Sequence, residues 1–112
     1  MITQTDLDRF CCTEKYYFMP TAPWMKYTDG VKYLATNADA YWLLTAIASY
    51  QRKEPFQVWR LEVNEDKTAV LTMREDTGEP VLVEQEIKYT DFPLKEIKLW
   101  LINGVLILPS EY

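Results

Sequence analysis

Histidine is absent from the 112 residues of this sequence. Because histidine is the commonest general base near neutral pH, its absence excludes Ser-His and Cys-His nucleophile systems and most catalytic zinc sites. Glycine is also scarce: Gly30, Gly78 and Gly104 stand apart and form no phosphate-binding loop. These absences predict a non-enzymatic protein without catalytic residues, metal ligands or a cofactor.

Cysteine occurs only as the adjacent pair Cys11-Cys12. A bridge between neighbouring residues is strained, so we interpret the pair as reduced thiols of a cytoplasmic protein, with a redox pair as the alternative. The first residues, MITQTDLDRF, lack the basic start and apolar core of a signal peptide. No apolar run approaches the roughly 18 residues that cross a bilayer, and we expect no membrane partner.

Acidic side chains outnumber basic ones only in the second half of the chain. Residues 1–55 carry six basic and six acidic side chains, whereas residues 56–112 carry six and eleven, so the net charge of −5 lies entirely in residues 56–112. Phosphate neutralisation needs clustered cations, and free nucleic acid is therefore not an expected partner. A protein with a basic surface is the expected partner.

The hydrophobic pattern changes once, near Pro55. Before it, the sequence predicts a short helix capped by Thr3 or Thr5, a second that begins at Thr28, and a longer helix from about Ala38 to Lys53. After it, alternating apolar and polar residues separated by turns predict strands. The sequence predicts one α+β domain over residues 1–112, with two to three N-terminal helices packed on a four- to five-stranded antiparallel meander sheet.

The most apolar segment, LWLINGVLIL, lies near the end of the chain. Asn103-Gly104 predicts a type I′ turn between two strands, so the sheet should end in an Asn-Gly hairpin. The arms, residues 97–102 and 105–108, are apolar on both faces, which predicts that both faces are covered. We expect the long helix on one face and the aromatic segment of residues 16–27 on the other.

The aromatic segment KYYFMPTAPWMKY interleaves lysines with rings. Aromatic residues are enriched at the centres of protein interfaces, so Tyr17, Trp24 and Tyr27 are candidate partner-binding residues. Two alternatives remain open. The segment could cover the core, or it could stack on single-stranded nucleic acid.

Acidic side chains are concentrated on the predicted strands and their turns. Alternation along neighbouring strands would place several on one solvent face, which could dock on a basic groove or serve solubility alone. The candidate partner-binding residues are Glu62, Glu65, Asp66, Glu75, Asp76, Glu84 and Glu86.

Two aspartates stand in similar phrases, Asp29 in YTDG and Asp91 in YTDF. Paired carboxylates can perform acid-base chemistry or bind Mg²⁺. Each also follows a threonine at a predicted element boundary, where capping and turn hydrogen bonds favour aspartate. We favour the structural role and keep a carboxylate- and metal-dependent enzyme as the alternative.

The phrases YTDGVKYLA, AYWLLTAIASYQ, FQVWRLEV, YTDFPL and NGVLILPSEY occur in this order. Over about residues 27–112 the chain resembles an uncharacterised family of small proteins found in bacteria, plasmids and phages. The resemblance implies no catalytic residue. It implies an accessory role on a mobile element, where small acidic proteins often inhibit host defence. The preferred hypothesis is a binding protein that inhibits a nucleoprotein complex of the CRISPR type; a structural homo-oligomer, such as a homodimer formed through the aromatic segment, is a further alternative.

Overall fold

The computed structural model describes residues 3–9, 15–19, 22–50, 54–76 and 78–111, so Cys11-Cys12 and its predicted thiol chemistry lie outside the described residues. The described residues form an α+β fold, as predicted. The elements are α1 (Gln4–Asp8), β1 (Tyr16–Met19), β2 (Ala22–Thr28), α2 (Asp29–Asn37), α3 (Tyr41–Ser49), β3 (Phe56–Val63), β4 (Ala69–Arg74), β5 (Val83–Ile87), β6 (Glu96–Ile102), β7 (Val105–Ile107) and a 3-10 turn (Pro109–Glu111).

The helices are not grouped at the N-terminus, which corrects the predicted arrangement. Only α1 is N-terminal, and α2 and α3 lie in the middle of the chain between β2 and β3. The extra strands β1 and β2 come from the aromatic segment. Helix α3 begins at Tyr41 rather than near Ala38, because Asp39 takes a φ of 51° that interrupts helical backbone.

The sheet is mixed and is not a meander. Seven strands of the described residues follow the order β1-β2-β7-β6-β3-β4-β5, and all neighbours are antiparallel except β2 and β7. The predicted sequential order fails at β6, which crosses back beside β3 instead of pairing with β5. The physical reason is polarity: the apolar β6 takes the centre, and the glutamate-rich β5 takes an edge where charges discourage further pairing.

The C-terminal hairpin is confirmed. Asn103 and Gly104 have φ angles of 49° and 82°, the two positive values that a type I′ turn requires, and Ile102 pairs with Val105. The carbonyl of Gly104 also accepts a hydrogen bond from the N–H of Lys26 at 2.8 Å. The turn therefore closes the hairpin and attaches it to β2.

All three helices contribute to one core on a single face of the sheet. Leu34, Leu44 and Ile47 from the helices are fully buried together with alternate strand residues such as Trp59 and Leu99. Among the described residues, none of the helices has the length and apolar character to cross a membrane.

The second face of the hairpin is not covered as predicted. Along β6, Ile97, Leu99 and Leu101 are buried, whereas Trp100 and Ile102 between them are only half-buried. The aromatic segment lies in the plane of the sheet as β1 and β2, and so it cannot pack over the hairpin. The backbone pairing of β2 with β7 fixes the aromatic segment at this position.

The C-terminal 3-10 turn is hydrogen-bonded to the start of α2. Glu111 accepts hydrogen bonds from the hydroxyl of Thr28 at 2.6 Å and from the N–H of Gly30 at 3.3 Å. Thr28, which is 1 % exposed, also caps α2 by accepting from the N–H of Val31. A Cβ on Gly30 would lie 2.6 Å from the Glu111 carboxylate, so any side chain at this position would have to displace the end of the Glu111 side chain. The carboxylate thereby accepts from one of the first N–H groups of α2, which have no acceptor within the helix.

A chain that ends at Gly104 should not fold. The truncation removes β7, which lies between β2 and β6, together with the fully buried Leu106 and Leu108. Each buried leucine contributes about 2–5 kcal/mol, comparable with the whole stability of a small domain. Near-UV circular dichroism of the truncated chain should show no signal from fixed aromatic side chains. Retention of that signal would show that the hairpin is dispensable.

Replacing Thr28 by alanine should lower the free energy of unfolding by about 1–3 kcal/mol, because the helix cap and the hydrogen bond to Glu111 are both lost. Urea denaturation measures the change. Thr28→Ser is the matched control, since serine keeps the hydroxyl and should lose much less. Equal losses in both variants would contradict the role given to the hydroxyl.

Candidate protein-binding face

One face of the sheet carries side chains that no described helix or strand covers, and we call it the open face. Its first region is the apolar strip, which crosses β1, β2, β7, β6 and β3. Phe18 and Trp24 at one end are 61 % and 41 % exposed, and the others are half-buried by their neighbours. The strip consists of Phe18, Trp24, Phe56, Trp100, Ile102, Val105 and Ile107, placed on one face by the strand registers.

Ring contacts order both ends of the apolar strip. Phe56 and Trp100 meet edge to face with centroids 5.6 Å apart. At the other end, the Nζ of Lys26 lies 5.1 Å from the centroid of the Phe18 ring, within the range of a cation-π contact. Aromatic side chains held in this way lose little conformational freedom when a partner binds.

The open face also carries charged side chains, and over the whole face their charges balance. Arg60 donates to Glu96 at 2.8 Å and lies 3.2 Å from Glu62, and Lys98 lies 3.8 Å from Glu96. The hydrogen bond from Arg60 lowers the pKa of the Glu96 carboxyl, with its positive charge acting in the same direction. Strand registers place four acidic and four basic residues on this face: Glu62, Glu84, Glu86 and Glu96 with Lys26, Arg60, Arg74 and Lys98.

The predicted acidic residues do not form one patch. Glu62, Glu84 and Glu86 share the open face, interspersed with cations. The remaining four are exposed in two turns: Glu65 and Asp66 lie between β3 and β4, and Glu75 and Asp76 lie between β4 and β5. These turns are at opposite ends of β4, about 20 Å apart for a strand of six residues. The excess negative charge therefore lies at the two rims of the sheet.

Asp66 has a local structural role in its turn. Its Oδ1 accepts from the hydroxyl of Thr68 at 2.6 Å and from the N–H of Thr68 at 3.1 Å. These hydrogen bonds lower the pKa of the Asp66 carboxyl, the side-chain bond most of all. The carboxylate stays exposed and charged at neutral pH.

The three predicted aromatic candidates separate onto opposite faces. Trp24 lies on the open face, whereas Tyr27 is 7 % exposed and packs on the helix side. Tyr17 stacks on Tyr27 with centroids 5.6 Å apart, and its hydroxyl donates to Asp29 at 2.7 Å. That hydrogen bond raises the pKa of Tyr17. Of the three, the structure joins only Trp24 to the apolar strip.

Asp29 and Asp91 do not share a site. Asp29 is the first residue of α2, whereas Asp91 lines a cavity with Ala38 and Asp39, which follow the end of α2. A helix of nine residues is about 13 Å long, too far for two carboxylates to bind one ion. Asp91 instead accepts from the hydroxyl of Tyr89 at 2.7 Å. In the part of the chain that the structure describes, no group of three or more cysteine or carboxylate side chains could hold a metal ion.

Sequence reasoning missed the members of the apolar strip that follow Pro55. Trp100 and Val105 lie in the hairpin arms, for which the sequence predicts cover on both faces, and such a pair has the same composition as one covered on a single face. Phe56 lies in the predicted alternating strand before them. A usable signal was the phrase FQVWRLEV, in which Phe56 and Val58 share a face with Arg60 and Glu62. A buried face would not carry that ion pair so close to the core.

The Arg60–Glu96 pair should make a pH-dependent contribution to stability. Because the folded pKa of Glu96 is lowered, the contribution is present above the ordinary glutamate pKa and is lost as the pH falls through the folded value. Glu96→Gln should lower the free energy of unfolding at pH 7 by less than about 1 kcal/mol, since the side chain is 40 % exposed, and the deficit should shrink toward pH 3.

Urea denaturation between pH 3 and pH 7 checks this. The control is Glu86→Gln in β5, which leaves the Arg60–Glu96 pair in place. A deficit of Glu96→Gln that stays constant over the pH range would contradict the assigned cause.

Comparison with known proteins agrees with the predicted resemblance to an uncharacterised family and extends it to the first 26 residues. No curated protein matches the chain. No solved structure matches it either. Residues 1–112 match the family model described as "Family of unknown function (DUF6876)", and the chain therefore belongs to that family.

Proposed function

We propose that this chain is a non-enzymatic binding protein that docks on another protein through the apolar strip. The observation that carries the proposal is the row of aromatic and aliphatic side chains on a face without cover from described elements. Five strands at a spacing of about 4.8 Å make the strip about 20 Å wide. Exposed apolar patches of a few hundred Å² often mark interaction sites.

The charge distribution favours a partner with a basic rim around an apolar patch. Charges on the open face balance, so the centre of the contact gains little from long-range attraction. Exposed Glu65 and Asp66 flank the sheet at one end of β4, and Glu75 and Asp76 flank it at the other. Lysine or arginine residues around the partner's apolar patch would meet these two acidic rims and set its orientation.

The proposal extends to a biological setting through the resemblance to small phage and plasmid proteins. We place the protein in the cytoplasm as an accessory of a mobile element that inhibits a host nucleoprotein complex of the CRISPR type. Such complexes hold nucleic acid in positively charged channels, and a basic surface of this kind fits the acidic rims.

The alternatives have less support. An enzyme that uses Asp29 and Asp91 as metal ligands is disfavoured because Asp29 begins α2, whereas Asp91 lies near the other end of this helix. A second copy of this chain is the competing occupant of the apolar strip, because an apolar face with balanced charge is also suited to self-association. The experiment below separates a foreign partner from a second copy.

Substitution of exposed aromatics on the open face should weaken capture of the partner. We expect Phe18→Ser and Trp24→Ala each to weaken binding by about thirtyfold, the effect of losing an aromatic residue that contributes about 2 kcal/mol. Affinity capture from host lysate at low and moderate salt, followed by titration of the captured protein, measures the loss. Capture by the unaltered chain should decrease as salt rises, because the acidic rims contribute.

Two controls match these variants in exposure. Tyr89 is 65 % exposed in the β5–β6 connection, and Tyr41 is 42 % exposed on the helix side. Tyr89→Ser and Tyr41→Ala should capture the same protein as the unaltered chain. Loss of capture in the controls, or no loss in the open-face variants, would contradict the proposal. So would a dimer of the unaltered chain in light scattering that Phe18→Ser converts to a monomer.

A further inference from the structure

The sheet has an internal notch beside the first half of β6. On one side, β6 pairs with β3 over its whole length, from Glu96 opposite Glu62 to Ile102 opposite Phe56. On the other side, its pairing with β7 stops at Trp100 opposite Ile107. Residues 96–99 therefore have a strand neighbour on one edge only among the described residues.

The hydrogen-bond pattern between β3 and β6 shows which backbone groups of β6 point into the notch. The N–H of Val63 donates to the carbonyl of Lys95 at 2.8 Å, so residue 95 points its backbone groups toward β3. Successive residues alternate between the two edges of an antiparallel strand. The N–H and C=O groups of Glu96 and Lys98 therefore point away from β3 and into the notch.

Two features at the chain end keep the notch open. Pro109 would be the next residue opposite Lys98, and proline has no N–H to continue the ladder. Beyond it, the 3-10 turn carries Glu111 toward α2, where it binds Thr28. The C-terminal segment therefore leaves the line of β7 at the position where a further strand residue would have paired with Lys98.

A cavity of about 460 Å³ occupies this position. Its walls are the β6 residues 96–98, the 3-10 turn and the outer side of α1, where Gln4 donates to Asp8 at 3.0 Å. Half-buried Leu94 supplies apolar surface to the cavity, and the buried side chains of Ile97 and Leu108 lie at its floor. The cavity thus combines backbone hydrogen-bonding groups on one wall with apolar side chains on another.

We propose that the notch binds an extended segment of a partner polypeptide, which adds a short antiparallel strand to β6. An antiparallel strand here continues the line and direction of β7. Cross-strand pairing specifies its side chains: an acidic residue opposite Lys98, a basic residue opposite Glu96, and an apolar residue between them on the helix side. The ligand is therefore an extended segment with the pattern Glu-apolar-Lys, read from N- to C-terminus.

The test uses the blocked heptapeptide acetyl-Thr-Val-Glu-Val-Lys-Val-Thr-amide and the full chain labelled with ¹⁵N. Titration should shift the amide resonances of Glu96 and Lys98 and slow their hydrogen exchange. The charge-exchanged peptide acetyl-Thr-Val-Lys-Val-Glu-Val-Thr-amide should bind about tenfold more weakly, because like charges then face each other at both positions. No shift at these amides with millimolar peptide, or equal binding of both peptides, would overturn the proposal.

Protein variants separate the notch from other surfaces. Lys98→Glu should weaken binding of the first peptide, whereas Lys88→Glu, an exposed lysine after β5, should leave it unchanged. If the unaltered chain forms a dimer that Lys98→Glu dissociates, the notch binds a second copy of this chain. That result would overturn the proposal of a foreign ligand. The notch is distinct from the apolar strip, so Phe18→Ser should bind the peptide as the unaltered chain does. If no peptide binds in the notch, the proposed function of the apolar strip is unaffected.

Discussion

The parallel pairing of β2 with β7 is the constraint on which the rest of the structure depends. Only two residue pairs form it, Lys26 with Val105 and Tyr27 with Leu106, yet it joins the N-terminal strands and helices to the remaining sheet. The Asn-Gly turn supports it, because the carbonyl of Gly104 accepts from the N–H of Lys26. Leu106 is fully buried at the junction. The last strand of the chain thus holds its first half in place, which explains why the most apolar segment lies near the C-terminus.

Local features of this fold could be predicted from the sequence, and the sheet order could not. Thr28 was identified as a helix start because its hydroxyl suits a cap, and the turn at Asn103-Gly104 because both residues tolerate positive φ. The position of β6 beside β3 depends on contacts between distant residues, for which periodicity carries no information. Strand β2 was not predicted either, because it contains Pro23, and proline argues against a strand. Pro23 lies outside the positions Lys26 and Tyr27 that pair with β7, so its missing N–H breaks no bond with β7.

The candidate site was predicted only in part, because composition does not distinguish a strand buried on both faces from one that leaves a face open. Trp100 and Ile102 are as apolar as Leu99 and Leu101, but they point away from the core. Folding stability alone accounts for Leu99 and Leu101. The half-exposed residues add little to the core and increase the risk of aggregation, and the proposed binding role rests on them. Of the predicted acidic residues, Glu62 forms an ion pair with Arg60, which also pairs with Glu96, and this pairing depends on strand registers that periodicity does not reveal.

The apolar strip and the notch are connected through β6. The backbone of Glu96 and Lys98 faces the notch, while their side chains lie on the open face beside Arg60. A strand added in the notch would place its own acidic and basic side chains next to these two residues and widen the open face by one strand. A partner that contacts the apolar strip and also supplies the strand would pay the entropy of association once for both contacts. Strand β6, whose apolar residues pack in the core on one face, is therefore also the element that connects the two proposed binding surfaces.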